Sequence, residues 1–104
     1  MYCLSVLYPH QPGARFDLDY YVGTHMPLVE DRLRPGGLVR TELQQGVTRW
    51  AAAAPASCVM ICHLYFTTLE ELQQAFGTHS PELIADIRAY TNIQPQMQIS
   101  RIVD

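Results

Sequence analysis

His25 follows Tyr21 by four residues in the stretch Asp17-Leu18-Asp19-Tyr20-Tyr21-Val22-Gly23-Thr24-His25-Met26-Pro27. On a helix that spacing sets a phenol and an imidazole side by side. Histidine is the side chain whose charge changes near neutral pH. A His–Tyr pair can therefore serve as general acid/base and hydrogen-bond donor, and His25 and Tyr21 are the candidate catalytic residues. A second reading is structural. Pro27 lacks a backbone N–H and leaves a helical carbonyl without its donor, and His25 is placed to occupy it.

Four further residues are candidates for binding a substrate. Tyr8 ends the first apolar run. His63 and Tyr65 alternate along Cys58-Val-Met-Ile-Cys-His-Leu-Tyr-Phe66. Rings with polar tips suit an apolar pocket for an aromatic or ether-like ligand, and they suit a subunit interface equally well. His63 reads either as a pocket residue or as a hydrogen-bonded core histidine. Arg101 either meets an anionic or enolate oxygen or pairs with an acid such as Asp17.

No metal or cofactor site emerges. Cys58 and Cys62 share one face of a strand but lie roughly 13 Å apart at about 3.3 Å per residue, and His63 faces the other way. The three cannot ligate one ion, so the thiols read as buried and inert. His79, after Gly77-Thr78, offers an axial ligand for haem or a solvent-exposed ring at a helix end. His10 belongs to a turn. The seven basic residues are all arginine, with no lysine. That excludes lysine Schiff-base chemistry and a P-loop.

These side chains need positioning elements. Tyr2–Tyr8 reads as a strand, closed by Pro9, Pro12 and Gly13. Asp17 is a helix N-cap, and Phe16 before it can staple onto Tyr21. Leu18, Val22, Met26, Val29 and Leu33 form one apolar stripe, kinked or split by Pro27 near Thr24–His25. Pro35-Gly36-Gly37 ends the helix. Leu38–Val47 is a half-exposed strand with Val39, Thr41 and Leu43 opposite Arg40, Glu42 and Gln44. Trp50–Ser57, with its alanine run, is a loop and the expected mobile part. Cys58–Phe66 is a strand covered on both faces. Thr68-x-x-Glu71 is a capping box for a second helix, inward at Leu69, Leu72 and Phe76 and ended by Gly77. Ser80-Pro81 starts another short helix burying Leu83, Ile84 and Ile87. Gln96–Val103 is the last strand.

The order βαββαβ defines a single α+β domain over residues 1–104, a ferredoxin-like plait with a four-stranded antiparallel sheet and helices on one face. A strand apolar on both faces leaves the open face for a partner, so we expect a homodimer, two sheets stacked into a dimeric α+β barrel. The net charge of −3 and the absence of a basic stripe speak against nucleic acid or anionic membrane as partner. Three cysteines in apolar runs, without a leader, point to a reduced, cytoplasmic setting.

The pattern Tyr8-Pro-x3-Gly13-x2-Phe16-Asp17-x-Asp19-Tyr20-Tyr21-x3-His25-Met26-Pro27-Leu28-Val29 resembles the opening of the EthD family, and Asn92–Val103 resembles its last strand. The resemblance implies the plait and the dimeric barrel, with no cofactor assigned. It also implies association with breakdown of small organic molecules such as ethyl tert-butyl ether, or with polyketide tailoring. The expected ligand is a small, apolar, oxygen-containing compound, handled by cofactor-free acid/base or oxygenase chemistry. A carrier without catalysis and a haem-binding, monooxygenase-like protein are the other readings. Wider relatives of the architecture include monooxygenases, haem-degrading enzymes, lactone isomerases and polyketide cyclases, so the fold alone does not choose among them.

Overall fold

A computed structural model of the chain describes residues 1–51 and 54–104. Strands β1 (Tyr2–Pro9), β2 (Leu38–Gln45), β3 (Cys58–Phe66) and β4 (Gln96–Arg101) form one antiparallel sheet in the order β2-β3-β1-β4. Leu4 pairs with Leu64 on one side and Ile99 on the other, and Thr41 lies opposite Leu64. Side chains alternate across a sheet. Leu4, Val6 and Tyr8 therefore enter the core with Met60, Cys62, Leu64 and Phe66. Ser5, Leu7, Ile61, His63 and Tyr65 take the other face and are half-buried.

The helical layer comprises α1 (Leu18–Tyr20), a π-helical turn (Tyr21–His25), α2 (Met26–Leu33) and α3 (Leu69–Ala85), with 3-10 turns at Arg34–Gly36 and Asp86–Ala89. The Asp17 carboxylate accepts the Tyr20 N–H as N-cap. Phe16 meets Tyr21 edge to face with centroids 4.9 Å apart, a hydrophobic staple. Thr68 caps α3 by accepting the Glu71 N–H, and its hydroxyl donates to the Glu71 carboxylate at 3.1 Å. Gly37 carries φ of 114°, the left-handed conformation that ends the first helical segment before β2. Together these features make the α+β, ferredoxin-like βαββαβ plait.

Several details differ from the expectations. Leu18 and Val22 do not belong to the buried stripe: they are 37% and 51% exposed. Tyr21 and His25 are buried instead, above Met26, Val29 and Leu33. The cause is the π-helical turn. The Met26 N–H bonds the Tyr21 carbonyl five residues back, which inserts one residue into the helix and rotates the apolar face. Pro27 follows at once and has no N–H for the regular ladder.

Gly77 does not end α3, and Ser80-Pro81 does not open a new helix. α3 runs through both to Ala85. The carbonyl that Pro81 leaves without a donor belongs to Gly77, four residues earlier. Gly77 is exposed and free of close neighbours, so water can take that carbonyl. Of the residues assigned to the extra helix, Leu83 is buried, Ile87 is half-buried and Ile84 is exposed. β2 stops at Gln45 and β4 at Arg101. The loop reading of the alanine run falls in part on Ala52 and Ala53, outside the described residues.

Candidate active site

The first strand, the first helical segment and the chain after α3 meet at one place. Backbone bonds hold them there. The Asp17 N–H donates to the Tyr90 carbonyl at 2.7 Å, and Phe16 bridges to Thr91. The Arg15 N–H donates to Asn92 Oδ1 at 2.8 Å, and Asn92 Nδ2 donates to the Gly13 carbonyl at 3.1 Å. The turn before α1 is thus pinned to the turn before β4. Side chains from Tyr8, Tyr21, His25, Asp86 and Tyr90 converge above the sheet.

Their polar atoms form a continuous chain. His25 Nδ1 lies 2.9 Å from Asp86 Oδ2, and His25 Nε2 lies 3.3 Å from the Tyr90 hydroxyl. The Tyr90 and Tyr8 hydroxyls are 2.6 Å apart. Tyr20 donates its hydroxyl to Asp86 Oδ1 at 2.8 Å. Donor logic orders the protons. A carboxylate only accepts, so His25 Nδ1–H donates to Asp86 and Nε2 is left as acceptor. Tyr90 then donates to Nε2, and Tyr8 donates to Tyr90. The aromatic rings lock the chain in place. Tyr21 stacks on His25 at 5.6 Å and 15°, while Phe16 packs edge-on against Tyr8 and Tyr90.

Burial sets the charge states. It pushes the His25 imidazole below its ordinary range, although the hydrogen bond and charge of Asp86 pull the other way. The ring is therefore neutral at pH 7. Burial pushes Tyr8 up to about 12, and the Cys62 thiol likewise to about 12. Tyr21 and Tyr90 are also pushed up, again chiefly by burial. Tyr20 is raised by its hydrogen bond to Asp86. The buried hydroxyls stay protonated and act as donors.

Beside this chain lies a hollow of about 30 Å³ lined by Tyr8, Tyr21, His25, Cys62 and an apolar wall including Ile84, Ile87 and Met97. It has room for roughly one or two waters. The same wall is shared with a shallow outer groove of about 710 Å³ that continues past Arg88, Asn92 and Gln94.

The sequence-predicted residues divide by face. His25, Tyr21 and Tyr8 come together. His63 and Tyr65 do not join them, because odd positions of β3 point away from the helices. His63 Nδ1 instead meets Ser5 Oγ at 2.9 Å and Cys3 Sγ at 3.5 Å. Arg40 stacks over the Tyr65 ring at 4.0 Å. Arg101 is exposed on the edge strand opposite Tyr2 and makes no ion pair among the described residues. Asp17, its suggested partner, caps α1 instead. His79 sits within α3, not after it, on a polar groove with Arg32 and Glu71. The alternative role of His25 as a backbone cap gives way to its bonds to Asp86 and Tyr90. Asp86 and Tyr90 themselves were missed as site residues. Asp86 opens the 3-10 turn and Tyr90 directly follows it, an acid and a phenol four residues apart whose pairing gains meaning only once His25 lies opposite. Among the described residues, no group of three or more His, Cys, Asp or Glu could hold a metal ion, and no helix is long and apolar enough to cross a membrane.

No family model and no curated protein matches the chain. Solved structures do. An EthD-like protein from Ralstonia eutropha JMP134 is 35% identical, with a TM-score of 0.91, over 99% of this chain and 92% of that one. An ethyl tert-butyl ether degradation (EthD) family protein from Bacillus halodurans C-125 is 20% identical, with a TM-score of 0.69, over 99% of both chains. A dimeric ferredoxin-like protein from an uncultured marine organism shares the fold at 12% identity and a TM-score of 0.56, over 100% of this chain and 96% of that one. The motif from Tyr8 to Val29, which supplies Tyr8 and His25 to the hydrogen-bonded chain and Tyr21 to the hollow, and the full-length likeness at 35% identity, lead to one assignment: the chain belongs to the EthD-like family.

Proposed function

We propose that this EthD-like protein is a homodimeric enzyme acting on a small, apolar, oxygen-containing organic compound by acid/base or oxygenase chemistry carried by its own side chains. The supporting observation is the Asp86–His25–Tyr90–Tyr8 chain beside an apolar hollow. Nothing in core packing calls for a half-buried acid, a buried imidazole and two buried phenols in series, and such groups are costly to bury unless paired.

The chain is suited to moving a proton. A proton taken from the substrate at the Tyr8 oxygen releases the Tyr8 proton to Tyr90 and the Tyr90 proton to His25 Nε2. The product is an imidazolium held by the Asp86 carboxylate. Because burial disfavours ionised tyrosine, the phenols pass protons in concert and do not store charge. The reverse sequence delivers a proton to the substrate. Asp86, half-buried, is the solvent-side end of the chain.

The test is turnover. The protein is incubated with a panel of small ketones, ethers and phenols, and products are followed by mass spectrometry. The expected result is conversion of at least one compound, lowered about 10²- to 10⁴-fold in His25→Ala, the usual contribution of a general acid/base. Binding without conversion would make the protein a carrier. Full conversion by a folded His25→Ala protein would remove His25 from the chemistry.

A further inference from the structure

We infer that the Tyr21 hydroxyl is the anchor for the substrate's oxygen, and that this oxygen belongs to an uncharged acceptor group such as a carbonyl or ether, not to a carboxylate or phosphate. The inference rests on the site proposed above and adds the class of group it receives.

Tyr21 is 1% exposed, and its hydroxyl has no hydrogen-bond partner among the described residues. Cys62 and Tyr8 are its near polar neighbours, close enough to act on its ionisation as weak hydrogen-bonding groups, but neither meets the distance and angle of a formed hydrogen bond to the hydroxyl. Both of them, and Tyr21 itself, line the hollow. A buried hydroxyl without a partner costs stability, and native proteins leave few such groups. The other phenols of the cluster show the contrast: Tyr8, Tyr20 and Tyr90 are all engaged. Tyr21 alone among them presents a spare donor, and it does so where a ligand atom fits.

The walls define the group. No arginine lines the hollow, and its remaining side chains are apolar apart from His25, Tyr8 and Cys62. An anion there would be stripped of water without a countercharge. A neutral oxygen needs only the one donor that is waiting. The hollow takes the oxygen end alone. The apolar body of the molecule fits along Ile84, Ile87 and Met97, the wall shared with the outer groove.

The experiment uses two readouts on wild type and Tyr21→Phe. The first is thermal unfolding of the free protein. Removing a hydroxyl without a partner raises Tm by several degrees, whereas removing a hydroxyl that holds the fold together lowers it. The second is NMR titration with cyclohexanone, methylcyclohexane and cyclohexanecarboxylate. Wild type is expected to bind the ketone most tightly, and Tyr21→Phe to bind it about 3- to 10-fold more weakly while the hydrocarbon is unaffected. A lowered Tm, an unchanged ketone affinity, or tighter binding of the carboxylate would each overturn the inference. Turnover that depends on His25 while ketone binding ignores Tyr21 would sink only this inference. Ketone binding that depends on Tyr21 in a protein without turnover would sink only the enzymatic reading.

Discussion

Asp86 and Tyr90 are the residues on which the proposed proton path depends. Asp86→Asn leaves an oxygen to accept the His25 Nδ1–H but removes the charge that stabilises imidazolium. Asp86 raises the His25 pKa against burial, so the variant should have a still lower imidazole pKa and turnover reduced on the order of 10²-fold; an unchanged rate would detach Asp86 from the mechanism. Tyr90→Phe removes the hydroxyl between His25 and Tyr8 and leaves two buried groups without a partner. It should cost about 1–3 kcal/mol in denaturant unfolding. Neither residue was legible beforehand, because each lies more than 60 positions from His25 (61 for Asp86, 65 for Tyr90) and only tertiary packing joins them. His25, Tyr21 and Tyr8 were legible, since their types and spacing imply chemistry before any contact is known. His63 and Tyr65 lie apart from that cluster for a plain reason. Alternation put them on one face of β3, but a strand apolar on both faces does not disclose which face the helices cover.

At the scale of the element, the π-helical turn decides which side chains reach the core. If it does so, Val22→Gln should change stability by no more than about 0.5 kcal/mol, while Leu33→Ala, fully buried, should cost about 2–5 kcal/mol. A regular helix would make Val22 an inward residue, and its polar substitution would then be as damaging as the loss of Leu33. The stripe read from periodicity assumed unbroken α-helix, and one inserted residue is enough to rotate it. Proline announced a break without disclosing that the break would be an insertion. The same residue type misled in α3, where Ser80-Pro81 carries every sign of a helix start. Gly77 is exposed, with open space around it, so Gly77→Ala should stabilise α3 by about 0.4–1 kcal/mol. A destabilised variant would mean that the glycine is needed to accommodate Pro81. The caps at Asp17 and Thr68 were readable because capping is local chemistry.

At the scale of the molecule, the plait followed from element order, and its open sheet face remains to be covered. Leu7, Ile61 and Tyr65 occupy its middle, half-buried, but Arg40, Glu42 and Gln44 flank them on β2 and Gln96 and Gln98 on β4. This face is less uniformly apolar than β3 alone implied. The proposed dimer stacks two such faces. Sedimentation at micromolar concentration should show a dimer, and Ile61→Asp should give a monomer whose His25 environment is unchanged. A wild-type monomer would refute the pairing. Folding also couples to pH through His25. Its folded pKa lies below the unfolded value of about 6.5, so the unfolded chain binds the extra proton first. The contribution to stability is complete above pH 6.5 and is lost as pH falls through the folded pKa.

The most direct test of the proton path is the titration of the His25 ring itself, followed by nitrogen-15 NMR. The account predicts a neutral ring at pH 7, protonated at Nδ1, with a pKa below 6.5 that drops further in Asp86→Asn. A ring that titrates above 6.5, or carries its proton on Nε2, would contradict it.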